Sequence, residues 1–319
     1  MSELINAAET FFEQLAAVGW AALGIALGLH LARVVTRVFA WRTILAAAFP
    51  DTRVPWWSVC GSYIAGIGVN AILPARGGDL LRLFLVKRRV EGSTYPTLGA
   101  TLLLETAFDT VVAGAVLAWA ATLGVFPSLD VLPDLPTIDW HWPLEHPTAA
   151  TAIGLVWLAV VVVLAWIGTR RVREFRRRVA QGFAVLREPA RFVRGVIAWQ
   201  AGSWILRATS VYFFLEAFGV PATLRNTMLV LAVQSLSTVF PFTPGGVGTQ
   251  QGLLVFVFDR ASAIAKTTLL SFSIGMYIAV TVVNVAAGFA AIFLMLRTLR
   301  WRRFVAGEER EVESPGASR

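Results

Sequence analysis

Two acidic residues one helical turn apart, Glu105 and Asp109, lie inside an apolar stretch covering residues 97–122, and arginines stand shortly before it at Arg76 and Arg82. Ionisable groups in such a setting are costly unless they pair with each other, face a watered cavity or hold a ligand. Arginine offers a planar fork of donors that suits phosphate oxygens. The two carboxylates would balance those arginines while a site is empty, or grip a cationic headgroup when it is loaded. The same residues also suit a purely structural role, with Arg76 and Glu105 or Asp109 forming a buried ion pair that fixes helix packing.

The arginines flank a break. An apolar run ends at Pro74, is interrupted over Ala75, Arg76, Gly77 and Gly78, and restarts as a helix with Asp79 and Arg82 in its first turn. A helix that begins at membrane depth presents free N–H groups and a positive dipole end, which attract anions such as a phosphodiester. The paired glycines would let a headgroup approach the backbone closely. The break recurs over residues 238–252, where Pro244, Gly245 and Gly246 are followed by Gln250 and Gln251. Two interrupted hydrophobic segments in corresponding halves point to a binding site near the bilayer midplane. Proline and glycine would also serve simply to turn each hairpin. Arg33 and Arg207 occupy similar places before their respective breaks and complete the candidate set. Glu216 is too far along its helix to be an adjacent-turn partner of Arg207.

The elements that carry these residues are apolar and helical. The chain has 319 residues, of which 56% are hydrophobic and 15% charged, and its mean hydropathy is +0.66. An average soluble protein is roughly 25% charged, and the apolar runs are long enough for helices rather than barrel strands. The spacing predicts spans over 18–40, 97–122, 149–167, 196–218 and 268–296. Between them lie two hairpins, 56–86 and 221–258, whose returning helices, 79–86 and 252–258, are too short to cross a core that needs about 20 helical residues. Arg37 and Arg42, near the end of the first run, are expected to snorkel to headgroups, whereas Arg33 lies deeper.

Charge sets the orientation. Nine arginines fall between Arg170 and Arg194, while residues 124–147 contain Asp130, Asp134, Asp139 and Glu145 but no Lys or Arg. The basic segment marks the cytoplasmic side, and it would also attract anionic lipid. The resulting plan is all-α and polytopic: a transmembrane region over 1–304 and a disordered cytoplasmic tail over 305–319. A first repeat (15–122), a linking span (149–168) and a second repeat of inverted topology (195–297) make up the region, with each hairpin re-entrant. The N-terminus is expected outside and the C-terminus in the cytoplasm. A plainer alternative lets each hairpin arm cross separately, with no repeat.

Several functions are disfavoured. Net charge is +8, which in a membrane protein first reports orientation rather than nucleic-acid binding. Cys60 is the sole cysteine, and His30, His141 and His146 show no paired metal-ligand spacing, so no metal or other cofactor is expected. Gly246, Gly248 and Gly252 do not have dinucleotide-binding spacing and follow no strand. The N-terminus has no basic leader region, so the first span is expected to be retained.

These motifs resemble those of the lysylphosphatidylglycerol synthase transmembrane family of flippase-like membrane proteins. Asn70, Pro74, Arg76, Gly78, Asp79 and Arg82 match its first signature, with Asp79 in place of Glu. Glu105 and Asp109 match its next helix, although Thr106 stands where Arg is expected. Pro244, Gly245, Gly246, Gly248 and Gly252 match its second signature, with Gln250 and Gln251 in place of Arg and Glu. Members that make aminoacyl lipids carry an additional soluble domain, and that activity is not expected of this chain. The resemblance implies lipid translocation, or an accessory role in lipid or polyprenyl-glycan metabolism.

The leading expectation is a bacterial inner-membrane transporter that moves a phospholipid, aminoacyl-lipid or glycolipid through a midplane cavity, without enzymatic activity and with a possible homo-oligomeric state. Its binding set would be Arg33, Arg76, Gly77, Gly78, Asp79, Arg82, Glu105, Asp109, Arg207, Pro244, Gly245, Gly246 and Gln251. A membrane-embedded transferase using Glu105 or Asp109 as base, and a scaffold acting through the 170–194 segment, are the alternatives.

Overall fold

A computed structural model describes residues 18–73, 77–123, 173–237, 248–261 and 264–299. The helices are α1 (Trp20–Ala48), α2 (Trp56–Ile72), α3 (Gly77–Lys87), α4 (Tyr95–Thr122), α5 (173–182), α6 (Ala198–Ala217), α7 (Leu224–Ser237), α8 (Thr249–Ala261) and α9 (Lys266–Leu299). No strand occurs among the described residues. The expected linking span lies outside them.

Three helices, α1, α4 and α9, are long and apolar enough to cross a membrane. Local sequence explains their ends. Thr94 caps α4 by accepting from the Thr97 amide at 3.4 Å, and Pro96 stands in the first turn where no amide is needed. Thr223 caps α7 in the same way, accepting from the Asn226 amide at 3.1 Å. The first helix runs on to Ala48, beyond the expected end at residue 40, because Arg42 finds an acceptor in the Val54 carbonyl at 3.2 Å and does not stop the helix.

The pair α1 and α6 forms the centre of the bundle. They run antiparallel: the Gly19 amide donates to the Ala217 carbonyl at 2.8 Å at one end, and Ser210 Oγ donates to the Ala26 carbonyl at 2.8 Å farther in. Toward the other end Gly195 lies against Thr43, where a Cβ would come within 2.6 Å of the threonine methyl. Gly195 sits in a wide π-type turn, Val193–Ile197, at the entry to α6.

Each short pair packs on the long helix of the other half. The α2 helix lies against α9, and α7 against α4. Gly68 and Gly288 let α2 and α9 approach closely: a Cβ on either would stand 2.6 Å from the other's Cα. Small residues are the usual means of close helix approach in lipid. Within the first pair, α2 and α3 touch backbone to backbone at Gly66 and Gly78, and a Cβ on Gly78 would overlap the Gly66 carbonyl oxygen. Thr52 Oγ1 donates to the Glu91 carbonyl at 3.4 Å, so the chain enters and leaves the α2–α3 pair at the same end.

Two large apolar cores result, with two smaller clusters beside them. One joins Val34, Val38, Trp41 and Leu45 of α1 to Val59, Tyr63, Leu83 and Val86 of α2 and α3. The other joins Ala26 and Val116 to Phe214, Leu231, Leu254 and Phe272. Along α1, α4 and α6 the polar side chains fall between the residues given to each core, and this polar layer forms the candidate site.

Candidate functional site

Glu105 is fully buried, with 0% of its surface exposed. Its Oε1 accepts from Tyr63 Oη at 2.7 Å and from Arg37 Nη2 at 3.0 Å, while its Oε2 pairs with Arg82 Nη2. Arg37 reaches across to Asp109 with two parallel bonds, Nη1 to Oδ1 at 3.0 Å and Nη2 to Oδ2 at 2.6 Å. Trp204 Nε1 adds a third donor to Asp109 at 2.9 Å. The adjacent-turn spacing of Glu105 and Asp109 is what lets one guanidinium on α1 bridge both carboxylates of α4.

Arg82 is held from three directions. Its guanidinium carbon stands 3.6 Å from the Trp41 ring centroid and 4.0 Å from that of Tyr63, and its end pairs with Glu105. Its buried Nε has no hydrogen-bond partner among the described residues and meets the aromatic faces instead. Trp41 is fixed in turn by donation from its Nε1 to Thr101 Oγ1 at 3.2 Å. Arg37, Arg82, Glu105 and Asp109 therefore form a neutral network in which each charge has an opposite partner.

This network lines one side of a cavity of about 470 Å³, which also meets His30, Arg33, Asn70, Asp79, Arg207 and Asn284. A second cavity, of about 310 Å³, shares His30, Arg33, Ile67, Asn70, Arg207 and Asn284 as a common wall and continues toward Gln234, Gln250, Tyr277 and Thr281. We refer to them as the paired lobe and the cationic lobe. Among the described residues no carboxylate lines the cationic lobe.

The first break is held by its own side chains. Asn70 Oδ1 accepts from the Gly78 amide at 2.8 Å, and Asn70 Nδ2 donates to Asp79 Oδ1 at 3.1 Å. The second break has a similar cap, with Gln251 Oε1 accepting from the Gly248 amide at 2.7 Å. Gly248 has φ +85°, a backbone conformation that glycine tolerates. Gln251 is thus committed to the backbone, and its neighbour Gln250 lines the cavity.

Of the candidate residues, Arg33, Asp79, Arg82, Glu105, Asp109 and Arg207 line the cavity, and Gly77 and Gly78 begin α3 beside it. Arg76, Pro244, Gly245 and Gly246 lie outside the described residues. Sequence reasoning missed the central cation: Arg37 does not snorkel to headgroups but joins Glu105 to Asp109. Its signal was present, since Arg33 and Arg37 repeat on α1 the one-turn spacing of the two carboxylates. Tyr63, Trp204 and Gln250 were also missed, and so was His30, whose Nε2 lies 2.9 Å from Asn284 Oδ1. Among the described residues no three histidine, cysteine, aspartate or glutamate side chains gather as a metal site.

The arrangement places charged side chains around a cavity in a protein built of apolar helices. No curated protein matches the sequence. The family model described as Lysylphosphatidylglycerol synthase TM region matches residues 6–288, which include both helix breaks and every residue of the polar layer. The chain belongs to that membrane-domain family.

Proposed function

We propose that the protein is a lipid translocase of the bacterial inner membrane, moving an amphiphile with a phosphate-containing headgroup between the two faces of the bilayer. The observation that carries this reading is the polar cavity between two broken helix pairs in an otherwise apolar bundle. Water-filled space lined by arginine and carboxylate at membrane depth suits a headgroup and little else.

The pattern of helix contacts supports inverted repeats with re-entrant hairpins. Exchanging α1–α4 with α6–α9 in order carries the contact of α2 with α9 into that of α7 with α4. The same exchange carries α2–α3 into α7–α8, α3–α4 into α8–α9, α1–α2 into α6–α7 and α1–α4 into α6–α9, and every one of these contacts is present. The α3 helix has 11 residues and α8 has 13, fewer than a crossing needs. Alternate opening of the cavity toward each face would follow from rocking one repeat against the other.

Orientation has its own support. Gln181 Nε2 donates to the Ala48 carbonyl at 2.8 Å, and Gly182 packs on Thr97 and Ala100, so the basic segment gathers at one end of the bundle. We assign that end to the cytoplasm, where the segment would meet anionic lipids, and place both ends of the first hairpin there. Catalysis is the weaker reading, because Glu105 and Asp109, the candidate bases, are each saturated by arginine and a ring donor.

Reconstitution tests the proposal. In liposomes carrying phosphatidylglycerol labelled on one leaflet-accessible tail, the protein should accelerate exchange between leaflets above the protein-free rate; an unchanged rate would overturn it. The hairpin is tested separately with single cysteines at Arg53 and Arg88 in a Cys60→Ser background. Both should label from the same side, and labelling from opposite sides would replace the hairpin with two crossings.

A further inference from the structure

The two lobes differ in what their cations are already doing. Arg37 and Arg82 are each ion-paired with carboxylate, Arg37 also touching the Tyr63 hydroxyl and Arg82 the Trp41 and Tyr63 ring faces. The Arg33 side chain has no hydrogen bond or ion pair among the described residues, and it lines both lobes. Arg207 touches only neutral groups: its Nη2 donates to Gln234 Oε1 at 2.9 Å, and its guanidinium stands 4.7 Å from the Trp204 ring centroid. The two guanidiniums lie close enough to repel one another, and His30 stands beside both. Asp109, the carboxylate that attracts both guanidiniums, is already bonded to Arg37 and Trp204, so two like charges on one wall carry a standing cost that an anion between them removes.

The remaining chemistry of the cationic lobe is neutral. Gln234, Gln250 and Asn284 present amides, Tyr277 and Thr281 present hydroxyls, and Phe214, Val211, Met276 and Val280 present apolar surface. Asp79 is the one cavity-lining carboxylate without an arginine among the described residues; it lies in the paired lobe and accepts from Asn70. A headgroup amine in the cationic lobe would therefore meet arginine and neutral polar groups, with no carboxylate among the described lining residues.

We propose that Arg33 and Arg207 are the phosphate-binding pair, and that the cationic lobe selects an anionic amphiphile whose headgroup beyond the phosphate is uncharged and hydroxyl-bearing, such as a glycerol or sugar phosphodiester. Arg82, stacked and ion-paired, frames the site and does not hold the phosphate. This inference rests on the translocase reading for its biological meaning, but its test does not require transport.

The test is binding in an uncharged detergent, measured by titration calorimetry with three probes: dihexanoyl phosphatidylglycerol, dihexanoyl phosphatidylethanolamine and sn-glycerol 3-phosphate. The full chain should bind the phosphatidylglycerol about tenfold or more tightly than the ethanolamine lipid. Arg33→Gln and Arg207→Gln should each weaken that binding by a similar factor, while Arg88→Gln, outside the cavity, should not. Melting temperatures of the variants keep the result interpretable, and Arg33→Gln should melt no lower than wild type because it breaks no contact. Equal affinity for the two lipids, or undiminished binding by folded Arg33→Gln and Arg207→Gln, overturns the assignment. Glycerol 3-phosphate binding as tightly as the lipid would support the phosphate pair and remove a lipid as its source. Selective binding without leaflet exchange would leave this site standing and overturn the translocase; exchange without selectivity would do the reverse.

Discussion

The helix pairs α2–α3 and α7–α8 each start their second helix with a side-chain cap, and they differ in charge. The first delivers Arg82 onto a buried carboxylate and carries Asp79 beside it; the second delivers Gln250 to the cavity and uses Gln251 to cap its own turn. Around the first hairpin every strong charge of the network has a partner, whereas around the second the arginines face amides. The lesson is that similar backbone breaks need not do similar chemistry. The paired lobe is walled by a neutral frame of partnered charges, and the cationic lobe, to which α1 contributes Arg33 and α6 Arg207, leaves positive charge free for a ligand.

Breaking the frame should have the largest effect. Glu105→Ala leaves Arg37 and Arg82 without their shared acceptor, and removal of one partner from a buried pair costs about 3–5 kcal/mol. Little monodisperse protein should survive extraction, as size-exclusion profiles would report. Gly78→Ala should come next, at about 1–3 kcal/mol from overpacking, because its Cβ would overlap the Gly66 carbonyl. The corresponding test in the second hairpin is Gly252→Ala. No atom outside its own helix lies within 4 Å of a Cβ there, so thermal unfolding should show no loss and a gain of up to about 1 kcal/mol from helix propensity. Equal losses at Gly78 and Gly252 would erase the contrast between hairpins.

Arg37→Lys and Arg33→Lys sharpen the comparison within one helix. Lysine cannot reproduce the bidentate hold on Asp109 together with the bond to Glu105, so Arg37→Lys should cost about 1–3 kcal/mol in thermal unfolding. Arg33→Lys should change stability by less than about 0.5 kcal/mol, the ordinary range for a substitution that breaks no contact.

Much of this was legible in the sequence. The break after Pro74 and the shortness of α3 follow from Pro, Gly-Gly and the basic run at Lys87, and the α3 bounds differ from expectation by two residues or fewer. Glu105 and Asp109 announced themselves as charges in an apolar run. Arg37 was hidden because distance to the end of an apolar run stands in poorly for depth. The helix continues to Ala48, about 16 Å beyond Arg37 at 1.5 Å per residue. The division of labour between Gln250 and Gln251 was also hidden, since adjacent helical residues point about 100° apart and only the start of α8 at Thr249 fixes which one faces inward. That Arg33 lacks a partner is a property of three-dimensional neighbours, and no spacing rule reports it.

The central claim is that the frame and the ligand-binding charges are separate. Its most direct test is leaflet exchange of phosphatidylglycerol by the Arg33→Gln/Arg207→Gln double variant in liposomes, with its melting temperature measured on the same preparation. Exchange at the protein-free rate by a protein that melts like wild type is the expected result. Wild-type exchange by that folded variant would contradict the account.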